Sequence, residues 1–246
     1  MEFYIGTSGW SYKHWKGIFY TDNLSEKEWL RFYSDSFNSV EVNMTFYRYP
    51  REIAVRNWGE RTPDDFVFTL KAPQVITHLR RLGGIEGSLY RLYDLMDILG
   101  DKGRSVLFQM PPSFHLTPEN IKRVDSLLKL LDDRYDHAIE FRHKSWWCDE
   151  CYDLLHGRCG FCCVDGLGMP REIIATNRVL YMRFHGGYYN RLYNDHEIAA
   201  YAGRILEVAG VKNVKRVYIY FNNDYNGYAV RNAASMKTMI SGMVNP

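Results

Sequence analysis

The chain has 246 residues, 46% hydrophobic and 24% charged, which is the make-up of an ordinary globular protein with enough apolar mass for a sizeable core. Lys plus Arg number 31 and Asp plus Glu 29, and a formal net charge of +2 excludes the strongly basic footprint of a dedicated nucleic-acid binder. No apolar run approaches the roughly 18 residues of a spanning helix, and Met1 leads straight into the strand-like Glu2-Phe3-Tyr4-Ile5 rather than a signal sequence.

In chain order, β-rich runs fall at residues 3–7, 39–43, 66–71, 105–109, 138–142, 161–165, 180–185 and 217–222, eight candidate strands. Helical patterns lie between most of them. Ser25 with Glu28 reads as a capping box opening a helix whose face carries Trp29, Phe32 and Tyr33. Thr117-Pro118-Glu119 opens another, with Ile121, Val124, Leu127, Leu128 and Leu131 as its apolar stripe. Residues 195–208 and 229–240 read as two more, whereas residues 166–178 are too few for a full helix. No linker, repeat or low-complexity tract interrupts the pattern, so the expectation is one domain over residues 1–246. Eight strand–helix crossovers in this length predict a (β/α)₈ TIM barrel, irregular between strands six and seven. The doubly wound alternative lacks a dinucleotide fingerprint, because Gly6-Thr7-Ser8-Gly9 has the wrong spacing.

Strand periodicity carries the functional signal. Val40 and Val42 alternate with Glu41 and Asn43, and Phe68 and Leu70 with Thr69 and Lys71. Ile139 and Phe141 alternate with Glu140 and Arg142, and Met182 and Phe184 with Arg183 and His185. The remaining polar strand ends are Gln109, Asp165 and Asn222. In a barrel the apolar phase packs under the helices, so the polar phase would converge inside, at the C-terminal mouth where this fold keeps its active sites. Buried charges are costly unless paired. The ring of Glu41, Lys71, Glu140, Arg142, Asp165, Arg183 and His185 therefore reads as a site, against the alternative of a salt-bridge network whose three acids and three permanent bases cancel.

Several motifs together resemble the YecE-like family, a domain of unknown function: Gly6-Thr7-Ser8-Gly9-Trp10, Val40-Glu41-Val42-Asn43 followed by Phe46-Tyr47, and Phe108-Gln109-Met110-Pro111-Pro112-Ser113-Phe114. Ile139-Glu140-Phe141-Arg142-His143 with Trp146, Arg183-Phe184-His185-Gly186 and Tyr220-Phe221-Asn222-Asn223 extend the likeness nearly end to end. The resemblance implies a TIM barrel and implies no reaction. Endonuclease IV is an analogy of fold alone. Cys148, Cys151, Cys159 and Cys162 depart from the family pattern.

Those cysteines mimic a four-thiolate zinc site, but Cys162 and Cys163 fall in a buried strand, so small-hydrophobe packing is the expectation. An odd total of five cysteines suits a reducing compartment, hence a cytoplasmic protein; no membrane partner is expected, and the sequence points to no particular obligate protein partner. No cofactor is indicated; Glu41, Glu140, Asp165 and His185 would supply ligands for at most a single divalent metal ion. Lys71, Arg142 and Arg183 form a cationic mouth suited to phosphate or carboxylate, and the Gly186-Gly187 turn offers backbone amides to an oxyanion. Among the loop aromatics, Trp10, Tyr47 and Trp146 are expected to wall the site, Trp15, Tyr20 and Trp147 to pack, and Tyr188 and Tyr189 to stand after strand seven.

The resulting expectation is an enzyme for a small anionic substrate, a phosphate-containing sugar or nucleotide or a nucleic-acid fragment. Glu41 and Glu140 would exchange protons with help from Asp165 and His185, and Asn43, Gln109 and Asn222 would orient the substrate. Glycoside cleavage by Glu41 and Glu140, and a barrel that binds without turnover, are the alternatives.

Overall fold

In the computed structural model, which describes residues 1–244 apart from the Tyr188 side chain, eight parallel strands form a nearly closed barrel wrapped by helices. The strands are β1 (Glu2–Thr7), β2 (Ser39–Val42), β3 (Val67–Lys71), β4 (Gly103–Gln109), β5 (Asp136–Glu140), β6 (Gly160–Asp165), β7 (Val179–Phe184) and β8 (Arg216–Phe221). The helices are α1 (Trp29–Ser36), α2 (Met44–Tyr47), α3 (Glu52–Glu60), α4 (Glu86–Leu99), α5 (Pro118–Leu130), α6 (Asp149–Leu155), α7 (Gly186–Tyr189), α8 (Asp195–Val211) and α9 (Tyr228–Val244). No described helix is long and apolar enough to cross a membrane.

Sequence signals place the elements. Thr117 caps α5 by accepting the Asn120 amide, with Pro118 in the first turn. Asn194 and Glu197 form a full capping box on α8, which residue pattern alone did not single out. The Ser25–Glu28 contact exists, but it closes a turn ahead of α1, which starts at Trp29. The stretch after β6 holds no helix, as its length requires.

Seven strand pairs are joined by ladders, and β1 meets β2 through one bridge, Ser8 to Glu41. Side chains supply the missing bonds at this seam. Asn38 accepts from the Ile5 amide at 3.0 Å and donates to the Phe3 carbonyl at 2.7 Å. The Tyr33 hydroxyl accepts from the Thr7 amide at 2.8 Å and donates to the Ser39 carbonyl at 3.1 Å. Gly6 has to be glycine, because a Cβ there would collide with the Ser39 carbonyl oxygen. The larger core lies between strands and helices, and a smaller one of Tyr4, Val67, Leu107, Ala138, Val164, Tyr181, Tyr218 and Tyr220 fills the barrel. The mouth therefore rests on a solid floor.

Candidate functional site

The inward phase of the strands stacks in layers. Low in the barrel, the Tyr220 hydroxyl bonds Ser39 Oγ at 2.5 Å and Thr69 Oγ1 at 2.9 Å. Above lies a charged layer centred on Arg183. Its Nη2 donates to Glu41 Oε1 at 2.6 Å and to Ser8 Oγ at 3.2 Å, and its Nη1 to Glu140 Oε2 at 2.5 Å and Gln109 Oε1 at 3.2 Å. Glu41 also accepts from Ser8 Oγ at 2.6 Å and from the Tyr181 hydroxyl at 2.7 Å. Arg142 donates to Glu140 through Nε, and to Gln109 Oε1 through Nη2 at 2.9 Å.

Glu41, Glu140, Arg183 and His185 are all excluded from solvent. Burial by itself would raise the Glu140 carboxyl, but Arg142 and Arg183 hold it well below the usual range, so it stays ionised. His185 Nε2 lies 3.7 Å from Glu140 Oε1, and burial pushes its pKa down to about 4, leaving the ring neutral at pH 7. The Arg183 guanidinium fills the space between the two glutamate carboxylates, where a pair flanking a glycosidic bond would need its substrate.

A cavity of about 700 Å³ opens above this layer, a size suited to a small metabolite. Seven predicted residues line it: Asn43, Lys71, Gln109, Arg142, Asn222, Trp10 and Tyr47. Thr45 pins α2 to the barrel by donating to the Val42 and Lys71 carbonyls at 2.9 and 2.6 Å, which sets Phe46 and Tyr47 on the rim. The Lys71 ammonium lies 4.7 Å over the Phe46 ring. Burial, then the charge of Arg183, lowers its pKa to about 8. Asp224, not predicted, is on the wall too, and burial raises its carboxyl. Ser8 and Tyr181 were also missed. Tyr181 shares the inward phase with Arg183 and was legible there, whereas Ser8 and Asp224 become site residues only through loop geometry.

Some expectations need correcting. Asp165 points outward, because β6 aims Cys162 and Val164 into the barrel and Phe161 and Cys163 toward the helices. Its carboxylate accepts from Tyr193 at 2.5 Å and Tyr201 at 2.8 Å and pairs with Arg171 at 2.9 Å. Trp146 is core rather than wall: it stacks on Phe141 at 4.1 Å and donates to the Phe114 carbonyl at 2.7 Å. The Gly186 amide is spent on the Tyr193 hydroxyl at 2.8 Å and has no hydrogen left for an oxyanion. The four-residue metal donor set is not assembled, since Asp165 faces away, and among the described residues no three His, Cys, Asp or Glu side chains gather to hold an ion. All five cysteines are free thiols. Trp15 and Tyr20 are buried, and the Tyr188 side chain lies outside the described residues.

A family model described as a protein of unknown function, DUF72, matches residues 4–245. The chain belongs to this family. It is 27% identical to the UPF0759 protein YunF of Bacillus subtilis over 96% of this chain and 94% of that one. It is 28% identical to YecE of Escherichia coli K12 over 58% of this chain and 50% of that one. A crystal structure of a DUF72 family protein from Thermotoga maritima superposes with a TM-score of 0.89 at 30% identity, covering 98% of this chain and all of that one. The two proteins thus share the barrel. At 8% identity and a TM-score of 0.56, a putative vitamin-B12-independent methionine synthase from Listeria monocytogenes shares the fold alone.

Proposed function

We propose that this DUF72 barrel is an enzyme that takes a small anionic substrate, a phosphate-containing sugar or nucleotide, into the mouth cavity. The supporting observation is the state of Arg142. Two of its nitrogens are spent on Glu140 and Gln109, which orients the guanidinium, while among the described residues Nη1 meets only the Tyr189 hydroxyl at 3.4 Å and has capacity left for an anion. Asn43, Gln109 and Asn222 offer hydrogen bonds, and Trp10, Phe46 and Tyr47 offer faces for a ring. In this reading Glu41 and Glu140 are positioning residues that hold Arg183 and Arg142, with His185 behind Glu140. Asp224, whose half-buried carboxyl keeps its proton to higher pH, serves as the acid–base group of a hydrolytic step.

Calorimetric titration with ribose 5-phosphate against ribose, and AMP against adenosine, tests the reading. The phosphorylated forms should bind tighter, and Arg142→Gln should erase about 10- to 100-fold of that preference, the worth of a charge-assisted hydrogen bond. Equal affinity for each pair overturns the anion site. Turnover that survives Asp224→Asn overturns the acid–base role.

A further inference from the structure

We propose that Lys71 is a nucleophilic amine that takes the carbonyl carbon of an aldehyde or ketone as a Schiff base. This deepens the anionic-substrate reading, on which it rests for the phosphate, by naming the class: a phosphorylated sugar in its open-chain carbonyl form.

The geometry sets Lys71 apart from the other cations of the mouth. It ends β3, its main chain is fixed by Thr45, and its side chain lines the cavity against the Phe46 face. Among the described residues it forms no salt bridge, because the two carboxylates nearest in charge, Glu41 and Glu140, are already held by Arg183. His78 packs on the same Phe46 ring at 4.9 Å. Burial and the positive charges of Arg183 and Arg142 disfavour the ammonium, against the opposing pull of Glu41 and Glu140, and the balance is a pKa of about 8. Such a lysine carries roughly 300-fold more free amine at neutral pH than an ordinary one. An amine kept only to anchor an anion would gain nothing from that loss of charge.

The step balances without an oxidant or reductant. The Nζ lone pair forms the C–N bond, and the carbonyl π pair moves to oxygen, which takes a proton. The nitrogen releases a proton to give the carbinolamine, whose hydroxyl takes a second proton and leaves as water as the nitrogen lone pair forms the C=N bond; the resulting iminium gives up its N–H proton to become the imine. Asp224 lines the same cavity, and in this proposal its carboxyl, raised by burial, passes those protons.

Reduction with borohydride in the presence of glyceraldehyde 3-phosphate or plain glyceraldehyde, followed by peptide mass mapping, is the test. The expected result is one secondary-amine adduct on Lys71, half-maximal in rate near pH 8, faster with the phosphorylated aldehyde and absent in Lys71→Arg and Lys71→Met. Modification of Lys71 no faster than of surface lysines overturns the proposal. Equal rates with the two aldehydes keep the amine and remove the anion site. Calorimetric binding of the phosphorylated sugar with no adduct does the reverse.

Discussion

Arg183 donates from Nη2 to Glu41 Oε1 over 2.6 Å, joining β7 to β2 across the barrel with both side chains excluded from solvent. The bond ties together strands far apart in sequence beside the weakest seam of the sheet, the single bridge between Ser8 and Glu41. Position, charge and closure are therefore carried by the same few atoms.

Removing the guanidinium should be expensive. Arg183→Met leaves the buried Glu41 carboxylate without a cation and Glu140 with Arg142 alone, and breaking a buried pair by deleting one partner costs about 3–5 kcal/mol. Urea denaturation should show a loss of at least that size, partly recovered when Glu41→Gln and Glu140→Gln are added. A loss under about 1 kcal/mol would place the pair in the range of exposed surface ion pairs and contradict the burial.

Acid should weaken the fold in two windows. His185 and His137 are held neutral by burial, with pKa values of about 4 against 6.5 in the unfolded chain. Between those values the unfolded state binds more protons, so stability falls as pH drops from about 6.5 to about 4. Glu140, held below its ordinary value, adds a loss at lower pH still. Denaturation series at several pH values should show the first slope reduced in His185→Gln; an unchanged slope would mean that this ring is not held neutral.

Tyr47 offers a clean separation of binding from folding. It is 72% exposed on the cavity rim, so Tyr47→Ala should move stability by no more than about 0.5 kcal/mol. Loss of a stacking face should nonetheless weaken nucleotide binding by about 5- to 100-fold. Unchanged affinity for AMP would remove Tyr47 from the site.

Trp146 should behave in the opposite way. Buried between Phe114 and Phe141, it contributes core packing, and Trp146→Ala should cost about 3–5 kcal/mol by chemical denaturation. Ligand affinity, measured well below the lowered melting temperature, should hardly change. A selective loss of affinity would return Trp146 to the cavity wall.

Much of this site was readable from alternation. Glu41, Lys71, Gln109, Glu140, Arg142, Arg183, His185 and Asn222 lie in the inward phase because successive strand residues face opposite sides. Asp165 is polar and ends β6, but it shares the parity of Phe161 and Cys163, which face the helices, so the same alternation sends it outward. Trp146 failed because a loop tryptophan carries no periodicity, so nothing local separates a wall from a plug.

The sequence by itself determined the barrel, the polar phase and the family resemblance, since each depends on patterns only a few residues long. Depth was decided by the tertiary structure alone. Two layers of inward side chains belong to the same strands, yet Arg183 closes the lower one over the glutamates while Lys71 and Arg142 line the open cavity above. Which charges meet each other and which are left to meet a ligand depends on distances between strands far apart in the chain, and no local pattern encodes those.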